Sequence, residues 1–524
     1  MKKHALSGLI LFLVFASLLF ARTGQSPQTP ASPALPSATP GAASSPSPVS
    51  TPEARPLSSP QSSPSPSPQK PNARVEIEQV PEKEHMLTPA EAKELLASVD
   101  EILHFVSQDT DLPIKHSVKK AIVSREQVEK YISGKFEKDV DRIRFERSEL
   151  VLKKFGLLPR TFDLHNFLIK LLAEQVAGYY DEKSKTMNLL NWVAPDMQKA
   201  VMAHELTHAL QDQSYNLGKM SRQEEKTEKK GLSDLHALLK NDEESNCRSA
   251  VLEGQGMIVL VDYMLAPAGQ SVAKSPKIVD FMLSSMEKDK SSPVFESAPL
   301  LLQDELIFPY RYGMRFIKDL IESGGKRLAY TSVLDRMPQT TREIMEPAEY
   351  LAGHRVPPLF LPDLGFLKKE YEPFDAGAVG ELDVNILLKV YADEAAAKRL
   401  SPEWRGGAYY AAGRRQVKPT DGNSTGHIGL YYISKWSTPA AAQEFSRIYA
   451  SALPSRYTGL RQSPADAPRP GLKRFESSDG SIFIQQTGNM VVAVESFAPE
   501  TAERLIEEGL KQGQESNIEQ TAAK

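Results

Sequence analysis

The chain has 524 residues, 40% hydrophobic and 25% charged, the balance of a soluble globular protein with enough apolar material for a large core. That length exceeds one average domain, so two folded units plus unfolded segments are expected. A net charge of −4 excludes a general nucleic-acid binder, which needs a basic excess to neutralise phosphates. A single cysteine, Cys247, excludes an intramolecular disulfide framework.

Lys2, Lys3 and His4 precede an apolar run over residues 5–20, followed by Ala21 and then polar sequence. This reads as an export signal over residues 1–21, with an uncleaved N-terminal anchor as the second reading. The run is shorter than the ~20 residues of a comfortable membrane span, and no cysteine follows it to carry a lipid. An extracytoplasmic location is therefore expected: secreted, periplasmic, or tethered to a membrane through this segment. Residues 22–74 are mostly Pro, Ser, Ala, Thr and Gln and bury too little surface to offset ordering entropy, so they read as a disordered spacer.

The first folded unit is expected over residues 75–375. Thr88 and Pro89 open a helix to about Val106, with a threonine N-cap and proline at the first helical position. Charged amphipathic helices follow over residues 124–155, with Glu129, Lys130, Asp139 and Asp141 on solvated faces, and another helix over 167–176. Residues 178–190 read as two short strands around an Asp-Glu-Lys-Ser turn. Residues 232–265 are helical in tendency. A helix is expected to start at Phe308, and a proline-rich passage over 356–373 marks a boundary. The second unit, residues 376–512, alternates helices and strands as a smaller α+β unit, and residues 513–524 read as a disordered tail.

Chemistry concentrates in His204-Glu205-x-x-His208. Two histidines four apart on a helix stand one turn above the other, so both imidazoles can reach one metal ion. Glu205, one residue on, lies beside the metal, where its carboxylate can take a proton from water. Composition alone yields such a motif about 0.01 times in a chain like this. Val201, Met202, Leu206, Ala209 and Leu210 supply the apolar surface that buries the helix. Without a metal, the same stretch is an amphipathic helix with surface histidines. Glu253 is a lone carboxylate in an apolar run, near Gly254 and Gly256, and a buried glutamate needs a partner. It is the third-ligand candidate of a metal site with three protein ligands and an open position. Asp242, Glu243 and Glu244 lie in a polar run and read as exposed. Asp212 either orients a ligand histidine or faces solvent.

The segment from His204 to Asp212 resembles the active-site helix of the gluzincin class of zinc metallopeptidases. Leu252-Glu253-Gly254 is similar to the third-ligand segment of zinc aminopeptidases, and the segment from Pro309 to Gly313 to their tyrosine segment. The resemblance covers about residues 165–350 and suggests a little-described bacterial family of exported gluzincin-like proteins. It implies a zincin-like metallopeptidase domain, mainly helical with a small edge sheet, within an α+β fold. It implies one zinc per chain on His204, His208 and Glu253, Glu205 as general base, and peptide or protein substrates. Tyr310, or failing it Tyr312, would donate to the developing oxyanion. The strand before the metal helix would pair an extended peptide along its edge. The chain departs from the pattern in the long gap between His208 and Glu253. Met257 stands where thermolysin-type enzymes carry a supporting aspartate, and no GxMEN-type segment marks an aminopeptidase.

Two other readings compete. Glu205-x-x-His208 and Glu101-x-x-His104 together form the paired ExxH pattern of a di-iron bundle. A surface-displayed binding or scaffold protein retaining a structural zinc site needs no Glu205.

Overall fold

A computed structural model describes residues 85–136, 139–175, 178–286, 293–415, 425–463 and 469–522. The expected export signal and Pro/Ser spacer lie outside the described residues. Helix α1 (Pro89–Thr110) begins where its sequence dictates. Thr88 accepts from the Glu91 N–H while Glu91 accepts from the Thr88 N–H, a reciprocal capping box, and Pro89 occupies the first turn. Leu95, Val99, Ile102, Leu103 and Val106 are buried, each side chain contributing ~1.5–3 kcal/mol by leaving water.

After α1 come β1 (Lys119–Val123), α2 (Arg125–Phe136), α3 (Asp139–Lys154), α4 (Leu164–Gln175), β2 (Tyr179–Asp181) and β3 (Thr186–Leu190). Glu129 and Lys130 are exposed, as expected. Strands β2 and β3 form the expected hairpin, with Tyr180 opposite Met187. Strand β1, which no sequence pattern announces, pairs parallel to β3 with Val123 opposite Leu190. Its short Lys-Lys-Ala-Ile-Val run has no clear alternation, and its partner is remote in the chain. The order β1-β3-β2 leaves β2 at the edge.

A helical layer follows: α5 (Pro195–Tyr215), α6 (Leu217–Lys230), α7 (Leu235–Leu265), α8 (Lys277–Met286), α9 (Leu300–Arg327), α10 (Thr341–Met345) and α11 (Pro347–Ala352). Helix α5 is buried nearly all round, its polar residues included, as suits a helix at the centre of a core. Helices α7 and α9 meet backbone to backbone. A Cβ on Gly254 would lie 2.4 Å from the Gly313 backbone, and one on Gly313 would lie 2.1 Å from the Ala250 carbonyl. Helix α9 starts at Leu300 rather than at Phe308. Pro309 sits inside it, where buried Leu301, Leu302, Leu306 and Phe308 hold the helix through the missing N–H. Residues Leu235–Ala268 are long and apolar enough to cross a membrane, but 61% of their apolar 18-residue stretch is buried in the protein, as befits a core helix.

The rest of the α+β fold is a second sheet with its own helices. Here β4 (Tyr371–Ala378) leads to α12 (Glu381–Tyr391), α13 (Glu394–Leu400), β5 (Trp404–Arg414), β6 (Ile428–Trp436) and α14 (Pro439–Ser451). Then come β7 (Arg461–Ser463), β8 (Leu472–Ser477), β9 (Gly480–Thr487), β10 (Met490–Glu495) and α15 (Pro499–Ala522). The seven strands run in the order β4-β5-β6-β10-β9-β8-β7. The boundary expected after residue 375 falls inside β4, an edge strand that accommodates Pro373 at a register shift. One hydrophobic core contains residues from both sides of that position, from Leu95 to Ala493. The tail expected to be disordered from 513 is helical as far as Ala522, continuing α15.

Asp242 and Glu243 correct the reading of a solvated polar run. Both are buried: Asp242 accepts from the Ala378 N–H at 3.0 Å, and Glu243 from the Thr341 N–H at 2.8 Å and its hydroxyl at 3.0 Å. These carboxylates fasten α7 to β4 and α10 by satisfying backbone donors distant in sequence. Glu244 remains half-exposed beside Lys240.

Candidate metal centre

Helix α5 carries His204, Glu205 and His208, and its start is fixed by Gln198. The Gln198 side chain accepts from the Leu190 N–H and donates to the Leu190 and Val193 carbonyls, tying the end of β3 to the helix. Val201, Met202, Leu206, Ala209 and Leu210 are all buried, as the sequence demands. His204 is fully buried, so the reading with two surface histidines does not hold. Helix α7 brings Glu253 across from α5.

Three ligand atoms converge. The Nε2 atoms of His204 and His208 lie 3.0 Å apart, and Glu253 Oε2 lies 3.1 Å from the first and 3.4 Å from the second. A tetrahedral ion with bonds of about 2.0–2.1 Å sets its ligand atoms about 3.3 Å apart. His204, His208 and Glu253 are thus a group that could hold a metal ion.

The hydrogen-bond network identifies which nitrogen faces the centre. Gln211 Nε2 donates to the Leu252 carbonyl and to Gln255 Oε1, so its Oε1 is the atom 2.8 Å from His208 Nδ1. An amide oxygen only accepts, so His208 carries a proton on Nδ1, and its Nε2 is the atom that faces Glu253. A lone pair facing a carboxylate requires a positive charge between them, either a proton or a metal cation. The electrostatics agree: burial opposes the charged imidazolium, yet Glu253 outweighs it and lifts His208 to about 9. For Glu253, burial opposes ionisation, but His208 and His204 hold its carboxyl well below the usual range. Burial takes His204 the other way, down to about 4.

Glu205 stands beside this group without joining it. Its Oε2 accepts from the Tyr180 N–H at 2.8 Å, which fixes the carboxylate against edge strand β2. Burial raises it to about 7, against the pull of His208 and the Tyr180 N–H. Gly256 is required by His204, because a Cβ there would lie 2.7 Å from the ring Nδ1.

Tyr310 belongs to the centre. It is fully buried, its ring lies 6.5 Å from that of His204, and burial with Glu253 and Glu205 pushes its phenol well up, so it keeps its proton. Tyr312 does not share the site: it packs on Phe308 at 5.4 Å, near Asp304 and Lys389. Asp212 takes neither expected role. It is buried and accepts from the Tyr180 hydroxyl at 3.0 Å and from Lys185, so it anchors the hairpin. Glu101 and His104 are exposed on α1, which removes the second half of a di-iron pattern.

Two site residues, Gln211 and Gln255, carry no distinguishing signal in the sequence. Gln211 lies three residues after His208, a spacing that signals contact on a helix face, but glutamine is too common to single out. Gln255 continues the chain of amides to the Ala329 carbonyl at 2.6 Å. Compared with protein-family models, curated proteins and solved structures, the chain matches none of them.

Proposed function

We propose that this chain is a zinc-dependent peptidase of the gluzincin type, with a zincin-like catalytic region preceding β4 within residues 75–375. The observation that carries the reading is the convergence of His204, His208 and Glu253, with Glu205 beside them and unshared. Three protein ligands leave a position open, as catalytic rather than structural sites do. Zinc held there would supply the Lewis acidity that makes water a nucleophile at neutral pH.

The protein's own groups do the rest. Glu205 takes the proton of the attacking water and delivers it to the leaving amine. Tyr310, with its phenol protonated, donates to the oxygen that gains charge. Strand β2 stands at the edge of its sheet among the described residues, beside Glu205, where an extended peptide can lie. The N-terminal apolar run and the Pro/Ser spacer support an exported protein acting on peptides or proteins outside the cytoplasm.

The test uses the full-length protein, wild type beside Glu205→Gln, both zinc-loaded, on a mixed library of quenched peptides. Cleavage by wild type that falls by at least a hundredfold in the variant, with zinc retained, supports the reading. Equal activity of the two eliminates Glu205 as base. Inactivity of both with zinc bound favours a binding or scaffold protein with a structural metal.

A further inference from the structure

Beyond the metal group, α5 presents a second carboxylate on the same side. Glu205, His208 and Asp212 fall at i, i+3 and i+7, one stripe of the helix. Tyr180 on β2 bonds both carboxylates of that stripe, Glu205 through its N–H and Asp212 through its hydroxyl. Alongside lies a cleft of about 710 Å³, walled by the β2–β3 hairpin, the end of α5 and the start of α6. Its lining includes Tyr180, Lys185, Asp212, Arg222 and Glu225.

Asp212 is incompletely used. Its side chain is 1% exposed, and Oδ2 receives both the Tyr180 hydroxyl and the Lys185 ammonium, while Oδ1 has no donor among the described residues. Lys185 is an imperfect partner. Its side chain is 50% exposed, and it sits at the hairpin turn with φ of 58°, a left-handed backbone uncommon for a residue with a side chain. An ammonium half in water contributes little to such a pair. Glu182 and Glu225 in the lining are offset by Lys183 and Arg222, so the charge balance of the cleft turns on the Asp212–Lys185 pair.

The geometry points to a subsite for a lysine or arginine side chain of the substrate, with Asp212 as its counter-ion and Lys185 as the resident cation it displaces. This inference rests on the peptidase reading. An incoming ammonium or guanidinium can take the place of Lys185 at Oδ2, while the Tyr180 hydroxyl holds the carboxylate in position. Lys185, already half in solvent, swings out, and the charge of the cleft is unchanged. Seven residues of helix separate Glu205 from Asp212 by about 10 Å along the axis. An extended peptide covers that in about three residues, so the basic residue lies about three positions from the scissile bond.

The test measures binding apart from cleavage. Fluorescein-labelled alanine decapeptides carry one lysine, or one norleucine, scanned along the chain, and are titrated by anisotropy into full-length zinc-loaded Glu205→Gln. Lysine should improve affinity at least tenfold at one or two adjacent positions, an advantage that shrinks with added salt. It should vanish on adding Asp212→Asn and grow severalfold on adding Lys185→Met, a surface change that keeps the test alive if the Asp212 variant fails to fold. Equal affinity for lysine and norleucine peptides at every position overturns the subsite, as does an advantage that survives Asp212→Asn. Cleavage of the same peptides by wild type separates the two proposals. Charge-selective binding without cleavage sinks the peptidase and keeps the subsite; cleavage blind to charge does the reverse.

Discussion

Gly256→Ala tests the metal centre through a residue that touches no metal. The added Cβ would lie 2.7 Å from His204 Nδ1, 2.8 Å from Cε1 and 3.1 Å from Cγ. Ordinary carbon contacts lie at about 3.5–4.0 Å, so the imidazole must retreat by about 1 Å or the helices must part. Neither movement is easy: His204 is fully buried and α7 is locked to α9 at Gly254 and Gly313. Overpacking of this kind costs about 1–3 kcal/mol. If the strain is carried by ligand geometry, zinc affinity falls by about 5- to 150-fold at 1.4 kcal/mol per decade. The assay is zinc competition against a chromogenic chelator, beside thermal unfolding with and without zinc. The stabilisation that zinc confers should shrink with its affinity. Gly134→Ala is the control, since a Cβ there meets nothing within 4 Å and a helical glycine-to-alanine change is neutral or mildly favourable. Wild-type zinc affinity in Gly256→Ala would refute the packing of Gly256 against a ligand histidine.

Other outcomes follow from the same contacts. Gln211→Ala removes the acceptor that holds His208 Nδ1–H and should weaken zinc binding about 10- to 100-fold in chelator competition; unchanged affinity would mean the amide chain is not supporting the ligand. Chelation should abolish peptide cleavage, and restoring zinc should recover it, whereas activity persisting after complete zinc loss excludes the proposed chemistry. Lys154 is buried, and burial brings its ammonium down to about 8 against the pull of Glu495 and Asp479. A lysine lowered in the folded state binds fewer protons there than in the unfolded chain between about 8 and 10.5. Its destabilisation is therefore complete below pH 8 and relieved as pH rises toward 10.5, by about 3 kcal/mol in all. The stability difference between wild type and Lys154→Met, measured by urea unfolding at pH 7 and pH 10, should move in favour of wild type at pH 10. A difference independent of pH would refute the lowered lysine.

Short-range spacing was readable without a structure because helix geometry is local. The four-residue interval of His204 and His208 commits both rings to one face wherever the helix lies, and Val201, Leu206 and Leu210 mark that helix as core. Glu253 was legible for a related reason: a carboxylate alone in an apolar run must find a partner, and Gly254 and Gly256 announced close approaches that prove to be Gly313 and His204. Thr88 and Glu91 likewise specified the start of α1 through a reciprocal bond within one turn.

What joins distant segments was not readable. Asp242 and Glu243 look like a solvated run, and only the docking of β4 and α10 supplies the N–H groups that bury them. Tyr310 and Tyr312 differ by two residues in one segment. On one helix they point about 200° apart, and the packing of α9 against α7 turns the first toward the His204–His208–Glu253 group and the second to Phe308. Asp212 bonds Tyr180 and Lys185 only because the hairpin folds back across α5. The sequence by itself determined the candidate metal helix, its general-base candidate and the third-ligand candidate, since each follows from local periodicity or from the cost of burying an unpaired charge. The tertiary structure alone decided which tyrosine, which glutamine and which second carboxylate surround them, because those partners come from packing between elements remote in the chain.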